Sequence, residues 1–247
     1  MILHTETYGD GETVVLLHSG LQTGQTDFVA QQEALLESRK VIVPDLRGHG
    51  KSVSDNFSNY FQDAARDLKE TLDYLEVERF HLVGCSLGGL VALLFAKAFP
   101  DRLLSLTMSG VTADQPAHWS ESHKEEVKFQ TDLLQNKEIV GQLDQIHDSD
   151  WKQFIYMARD VDWYPFEHTA DLNRIDAPIL YMVGEGNKDE VISASTYQRM
   201  HENVHVSVIP FASHLVHVEQ PALYTEMLLA FLDKVEEKNR NLMESTN

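Results

Sequence analysis

The sequence predicts an α/β domain, a mostly parallel twisted sheet with helices on both faces. Three observations carry this. Short β-branched or apolar runs alternate with longer segments of helical period. Several of the strand-like runs, such as Val14-Val15-Leu16-Leu17, are apolar without a break, as suits strands covered on both faces. One of them, ending in Phe80-His81-Leu82-Val83, passes through Gly84-Cys85-Ser86-Leu87-Gly88 straight into the apolar run from Leu90 to Phe99. Residues 13–17, 40–43, 80–83, 103–108, 179–183 and 204–209 read as buried strands. A short strand-like segment, 2–8, precedes them. Segments 28–37, 61–76, 87–99, 193–201 and 222–237 read as helices. In such sheets ligands bind beyond the carboxyl ends of the strands, where Ser86 and the loops after Leu17, Val183 and Ile209 all fall.

From 111 to 171 the alternation stops and short helices are expected, holding all three tryptophans, Trp119, Trp151 and Trp163. A segment inserted at the carboxyl end of a strand would form a lid over the site, with some of these aromatics in the pocket roof. The expected organisation is a core of 1–110 and 172–237, a helical cap of 111–171 and a polar tail of 238–247.

Thirty-nine Asp and Glu against twenty Lys and Arg give a net charge of −19, which disfavours nucleic acid and anionic membrane surfaces as partners. The single cysteine, Cys85, precludes an internal disulfide and fits a reducing compartment. With no signal-like N-terminus and no apolar run long enough to span a bilayer, a cytoplasmic location is expected. The motifs do not give an oligomeric state.

The segment around Ser86 suits a nucleophile. A strand, a sharp turn and a helix lift the hydroxyl clear of the sheet edge, and glycines two residues away on either side leave the turn room. The free N–H groups of the following helix can meet a developing oxyanion. Cys85, beside the tip, reads as a small buried residue. No H-E-x-x-H or cysteine cluster exists, so neither a metal nor another cofactor is expected.

Four motifs together resemble the α/β-hydrolase superfamily over residues 2–235: His18-Ser19-Gly20 after the first core strand, Asp45-Leu46-Arg47-Gly48-His49-Gly50-Lys51-Ser52 after the next, the Ser86 elbow, and Ser213-His214-Leu215-Val216-His217-Val218-Glu219-Gln220-Pro221 before the last helix. The likeness lies with the serine-nucleophile carboxylesterase and cofactor-free haloperoxidase branch. It implies the α/β-hydrolase fold with its lid after the sixth strand. The family's first strand is expected to be missing.

The resemblance implies His214, of twelve histidines, as general base to Ser86. His217 then reads as packing, and His18 and His49 as loop braces. For the acid, the family's usual place falls on Asn187, which cannot carry charge. Counting back from the following helix selects Asp189, with Glu185, Glu190 and, from the preceding strand's end, Asp114 as further candidates. The oxyanion hole is expected from the backbone N–H of Leu87 and of Gly20 or Leu21. Trp119, Trp151 and Trp163 are expected to contact substrate.

The expected function is a serine hydrolase cleaving a small, largely uncharged ester through an acyl-enzyme. A serine at the elbow argues against the dehalogenase and epoxide hydrolase branches, which use aspartate. The scarcity of Lys and Arg in the cap disfavours CoA tails and dicarboxylates. Carbon–carbon bond hydrolysis, perhydrolysis or lyase chemistry on the same triad, and a non-catalytic ligand-binding protein, stay open.

Overall fold

The computed structural model describes residues 1–245. Seven strands, β1 (Thr5–Tyr8), β2 (Glu12–Leu17), β3 (Arg39–Pro44), β4 (Phe80–Cys85), β5 (Leu103–Ser109), β6 (Ile179–Gly184) and β7 (Val204–Ile209), form one sheet in the order β1-β3-β2-β4-β5-β6-β7. β1 runs antiparallel to β3 and every other pair is parallel. The helices are α1 (Val29–Leu35), α2 (Tyr60–Tyr74), α3 (Leu87–Ala98), α4 (Trp119–Gln135), α5 (Lys137–Ile146), α6 (Lys152–Ala158), α7 (Phe166–Thr169), α8 (Lys188–Met200), α9 (Val216–Glu219) and α10 (Pro221–Ser245).

Successive side chains of a strand face opposite ways, so an unbroken apolar strand feeds two cores. β2 does this: Val15 and Leu17 pack with the residues of α2 and α3, while Val14 and Leu16 pack with Leu35 of α1 and Tyr224, Leu228 and Leu232 of α10. From β2 the chain moves to β3 on one side and then returns to β4 on the other. The loops after β2 and β4 therefore diverge and leave a crevice between them. The pairing of Leu17 with Gly84 sets the starts of both loops side by side.

Helices α4 to α7 lie between β5 and β6. This insert follows the fifth strand, not the sixth, because among the described residues no strand precedes β1. The tail expected beyond Glu237 is also helical: α10 continues to Ser245. Nothing after Pro221 breaks it, since neither Gly nor Pro follows, and Lys234 pairs with Glu237 one turn on, 2.6 Å away. Residues 246 and 247, part of the expected tail, lie outside the described residues. Among those described, no helix is long and apolar enough to cross a membrane.

Candidate active site

Ser86 stands between β4 and α3 with φ 53° and ψ −116°, a conformation non-glycine residues rarely adopt. Tight packing holds it there. A Cβ on Gly84 would lie 2.3 Å from the Gly88 carbonyl oxygen, and one on Gly88 would lie 2.1 Å from the Leu17 carbonyl oxygen. Only glycine lets the helix start this close to the strands. The Ser86 N–H donates to the Ser109 carbonyl at 2.9 Å, tying the elbow to β5. Leu87 is the first residue of α3, so its N–H has no preceding turn to bond. Cys85 is fully buried, and burial pushes its thiol pKa well up, as expected for packing rather than chemistry.

His214 follows β7 and comes within reach of Ser86 across 128 positions of chain: its Nε2 is 2.9 Å from the Ser86 Oγ. Its Nδ1 is 2.7 Å from Oε1 of Glu190. A carboxylate can only accept, so Nδ1 carries the proton and Nε2 presents its lone pair to the serine hydroxyl. Burial opposes protonation of His214, but the hydrogen bond and charge of Glu190 outweigh it and hold the imidazole above its ordinary pKa. Glu190 is itself raised, because burial outweighs the pull of His214.

The acid facing His214 is thus Glu190 and not Asp189. α8 begins at Lys188, five residues before its expected start, and consecutive residues of a helix point to different sides. Glu190 turns inward and is 1% exposed, whereas Asp189 is one-third exposed and pairs with His118 Nε2 at 3.2 Å. Asp114 is exposed, and Glu185 accepts from the Phe211 N–H at 2.9 Å, bracing the loop after β7. The family's usual acid position holds Asn187, which caps α8. Its Oδ1 accepts from the Glu190 N–H at 3.3 Å, and its Nδ2 donates to Glu190 Oε1 at 2.7 Å. The sequence does carry a sign of this, since Asn187-Lys188-Asp189-Glu190 has the N-x-x-E spacing of a helix start.

The loop after β2 is held from three directions. Asp27 Oδ2 accepts from the Ser19 N–H and hydroxyl at 2.7 and 2.9 Å, while its Oδ1 meets His217 Nε2 at 2.6 Å. Burial works against the Asp27 charge, but these partners prevail and bring its pKa to about 2. His18 donates from Nδ1 to the Ser19 carbonyl at 2.8 Å and accepts at Nε2 from the Leu46 N–H at 2.9 Å. His49 lies against His18, His147 and Phe154 in a buried ring cluster. These histidines brace loops as expected, and His217 also stacks on Phe28, with ring centres 4.1 Å apart.

The third hold comes from the insert and left no trace in the sequence. His147 accepts at Nδ1 from the Gly50 N–H at 2.7 Å and donates from Nε2 to the Leu21 carbonyl at 3.1 Å. It does both only as neutral imidazole, and burial lowers its pKa accordingly. Leu21 takes φ 64°.

Ser86, His214, Glu190, Gly20, Leu21 and Leu87 all border one cavity of about 520 Å³. Of the three tryptophans expected to contact substrate, Trp119 and Trp163 border this cavity and Trp151 does not. Trp151 is 1% exposed, packs with Leu143 and Ile155 inside the insert, and donates to Asp144 at 2.9 Å. Placed at the start of α6, it faces the insert's own core rather than the cavity. Among the described residues no group of three His, Cys, Asp or Glu side chains is arranged to hold a metal ion.

The family model for the alpha/beta hydrolase fold matches residues 12–136. A putative carbamate hydrolase, RutD, of Variovorax paradoxus strain S110 is 30% identical, over 95% of this chain and 97% of its own. Among solved structures, a thermophilic esterase from Thermogutta terrifontis is 25% identical, with a TM-score of 0.71 over 94% of this chain and 93% of that one. NosK from Streptomyces actuosus is 28% identical, with a TM-score of 0.80 over 92% and 100%. The chain belongs to the α/β-hydrolase family, and it is a hydrolase.

Proposed function

We propose that the protein is a serine esterase that cleaves a small carboxylic ester without negative charge, through an acyl-enzyme held on Ser86. The observation that carries the reading is the chain of two hydrogen bonds from Glu190 to His214 to Ser86, 2.7 and 2.9 Å long, at a strained elbow facing a cavity. As the Ser86 Oγ attacks the ester carbonyl, its proton passes to His214 Nε2 and Glu190 stabilises the imidazolium. The carbonyl oxygen, now negative, takes hydrogen bonds from the N–H of Leu87 and of Gly20 or Leu21. Collapse expels the alkoxide, which leaves as alcohol with the proton from His214. Water then gives a proton to the same nitrogen and attacks the acyl group. The acid departs and Ser86 recovers its proton. In this reading the insert, 111–171, acts as the cap that shapes the pocket, with Trp119 and Trp163 against the substrate.

A carbamate is the second reading, favoured by the likeness to the V. paradoxus protein, because the same groups serve an attack on either carbonyl. Rates on matched short-chain nitrophenyl esters and carbamates separate the two. Ester turnover that falls by about a thousandfold or more in Ser86→Ala is expected. Ester hydrolysis undiminished in Ser86→Ala would refute the reading, as would saturable ligand binding without any turnover.

A further inference from the structure

The cavity wall supplied by α4 has an uneven chemistry. Trp119, His123, Glu126 and Gln130 recur at helical spacing and all border the cavity. His123 donates from Nε2 to the Ala158 carbonyl at 3.0 Å, which leaves Nδ1 as a lone pair. Gln130 is 6% exposed and its Nε2 is spent on Glu126 Oε1 at 3.4 Å. Its Oε1 is buried and has no partner among the described residues. A buried, unmatched amide oxygen is costly, and a turn of the Gln130 side chain, held by that one long bond, would bring it to a ligand donor in the cavity the residue borders. Glu126 makes no ion pair among the described residues, and none of the side chains bordering the cavity is Lys or Arg. Of the other carboxylates there, Glu190 is engaged by His214 and Asp189 by His118.

This wall therefore offers acceptors, one uncompensated negative charge and an aromatic face, and its one spare donor among the described residues, the Ser122 hydroxyl, can equally accept. An ammonium has the opposite inventory: three donors, no acceptor and a positive charge that an indole ring also attracts. A hydroxyl would satisfy one acceptor but leave the Glu126 charge unanswered, and an anion would be repelled. Glu126 borders the same cavity as Ser86 and His214. We propose that Glu126, Gln130 and His123, with Trp119 beside them, form a subsite for a primary ammonium group, so that the preferred substrates are small esters bearing a protonated amine. The proposal rests on the serine-hydrolase reading above. Where composition pointed to an uncharged substrate, the cavity favours one positive charge.

The test compares isosteric esters in which –NH3⁺ replaces –CH3: methyl ε-aminocaproate against methyl heptanoate, and methyl glycinate against methyl propanoate. At neutral pH the wild type should favour the amine member of at least one pair by roughly tenfold or more in kcat/KM. That ratio should fall towards one in Glu126→Gln and, separately, in Gln130→Leu. Glu126 is exposed, so its substitution leaves the fold intact. Wild-type turnover of both members at similar rates, or faster turnover of the neutral one, overturns the ammonium subsite while leaving the esterase standing. A preference that survives both substitutions also overturns it. Failure to hydrolyse any of the four esters, together with no labelling of Ser86 by an active-site phosphonate, overturns both.

Discussion

Replacing Glu190 by Gln removes one charge from the site and almost nothing else. The Glu190 Oε1 accepts from both Asn187 Nδ2 and His214 Nδ1, each at 2.7 Å, and a glutamine carbonyl oxygen can keep both bonds. The amide nitrogen then takes the place of Oε2, a buried atom with no partner among the described residues. The imidazole keeps its tautomer and orientation, and only the stabilisation of its protonated form is lost. Two unit charges about 4 Å apart at an effective dielectric constant near 20 attract by roughly 4 kcal/mol. That is about a thousandfold in rate at about 1.4 kcal/mol per decade. Steady-state hydrolysis of a nitrophenyl acetate should thus show kcat lowered about a thousandfold in Glu190→Gln, with far-ultraviolet circular dichroism unchanged. Asp189→Asn loses only a partly exposed pair with His118 and should stay within about threefold of wild type. A loss below tenfold in Glu190→Gln, or one as large in Asp189→Asn, would refute the assignment of the acid.

The same pair governs the pH profile. His214 must be neutral to take the serine proton, and its pKa is raised, so kcat/KM should climb with pH through a midpoint above the usual histidine value of about 6.5. In Glu190→Gln that midpoint should move down, and an unmoved midpoint would count against the pairing. His147→Leu should strand the Gly50 N–H, at a cost of about 1–3 kcal/mol and a melting temperature about 5 °C lower by calorimetry. By loosening the loop at Leu21 it should lower kcat more than it changes KM. Asp27 is depressed to about 2 from an unfolded value near 4, so its contribution of roughly 2 kcal/mol is complete above pH ~4 and lost as pH falls towards 2. Asp27→Asn should accordingly flatten the acid end of the stability curve measured by urea unfolding.

The sheet was legible because its strands are covered on both faces: runs such as Val14-Val15-Leu16-Leu17 must be apolar throughout to feed two cores. The elbow was legible because the approach of Gly88 to Leu17 excludes any side chain. Loop phase was harder. Whether residue 189 or 190 faces His214 depends on where α8 begins, and a one-residue change turns the side chain to another side of the helix. The capping pattern from Asn187 to Glu190 held that information, but counting back from a helix expected to start at Ser193 pointed to Asp189. Trp151 and His147 depend on how the insert packs on the core, where no periodic pattern speaks. His147 acts through residues about a hundred positions away or more, and an isolated histidine carries no mark of that.

Treatment with a fluorophosphonate followed by mass spectrometry of the digested protein tests most directly whether Ser86 is an activated nucleophile. A single stoichiometric adduct on the peptide holding Ser86, absent in Ser86→Ala and slowed in Glu190→Gln, is the expected result. An unmodified Ser86 in folded protein, or an adduct formed elsewhere, would contradict it.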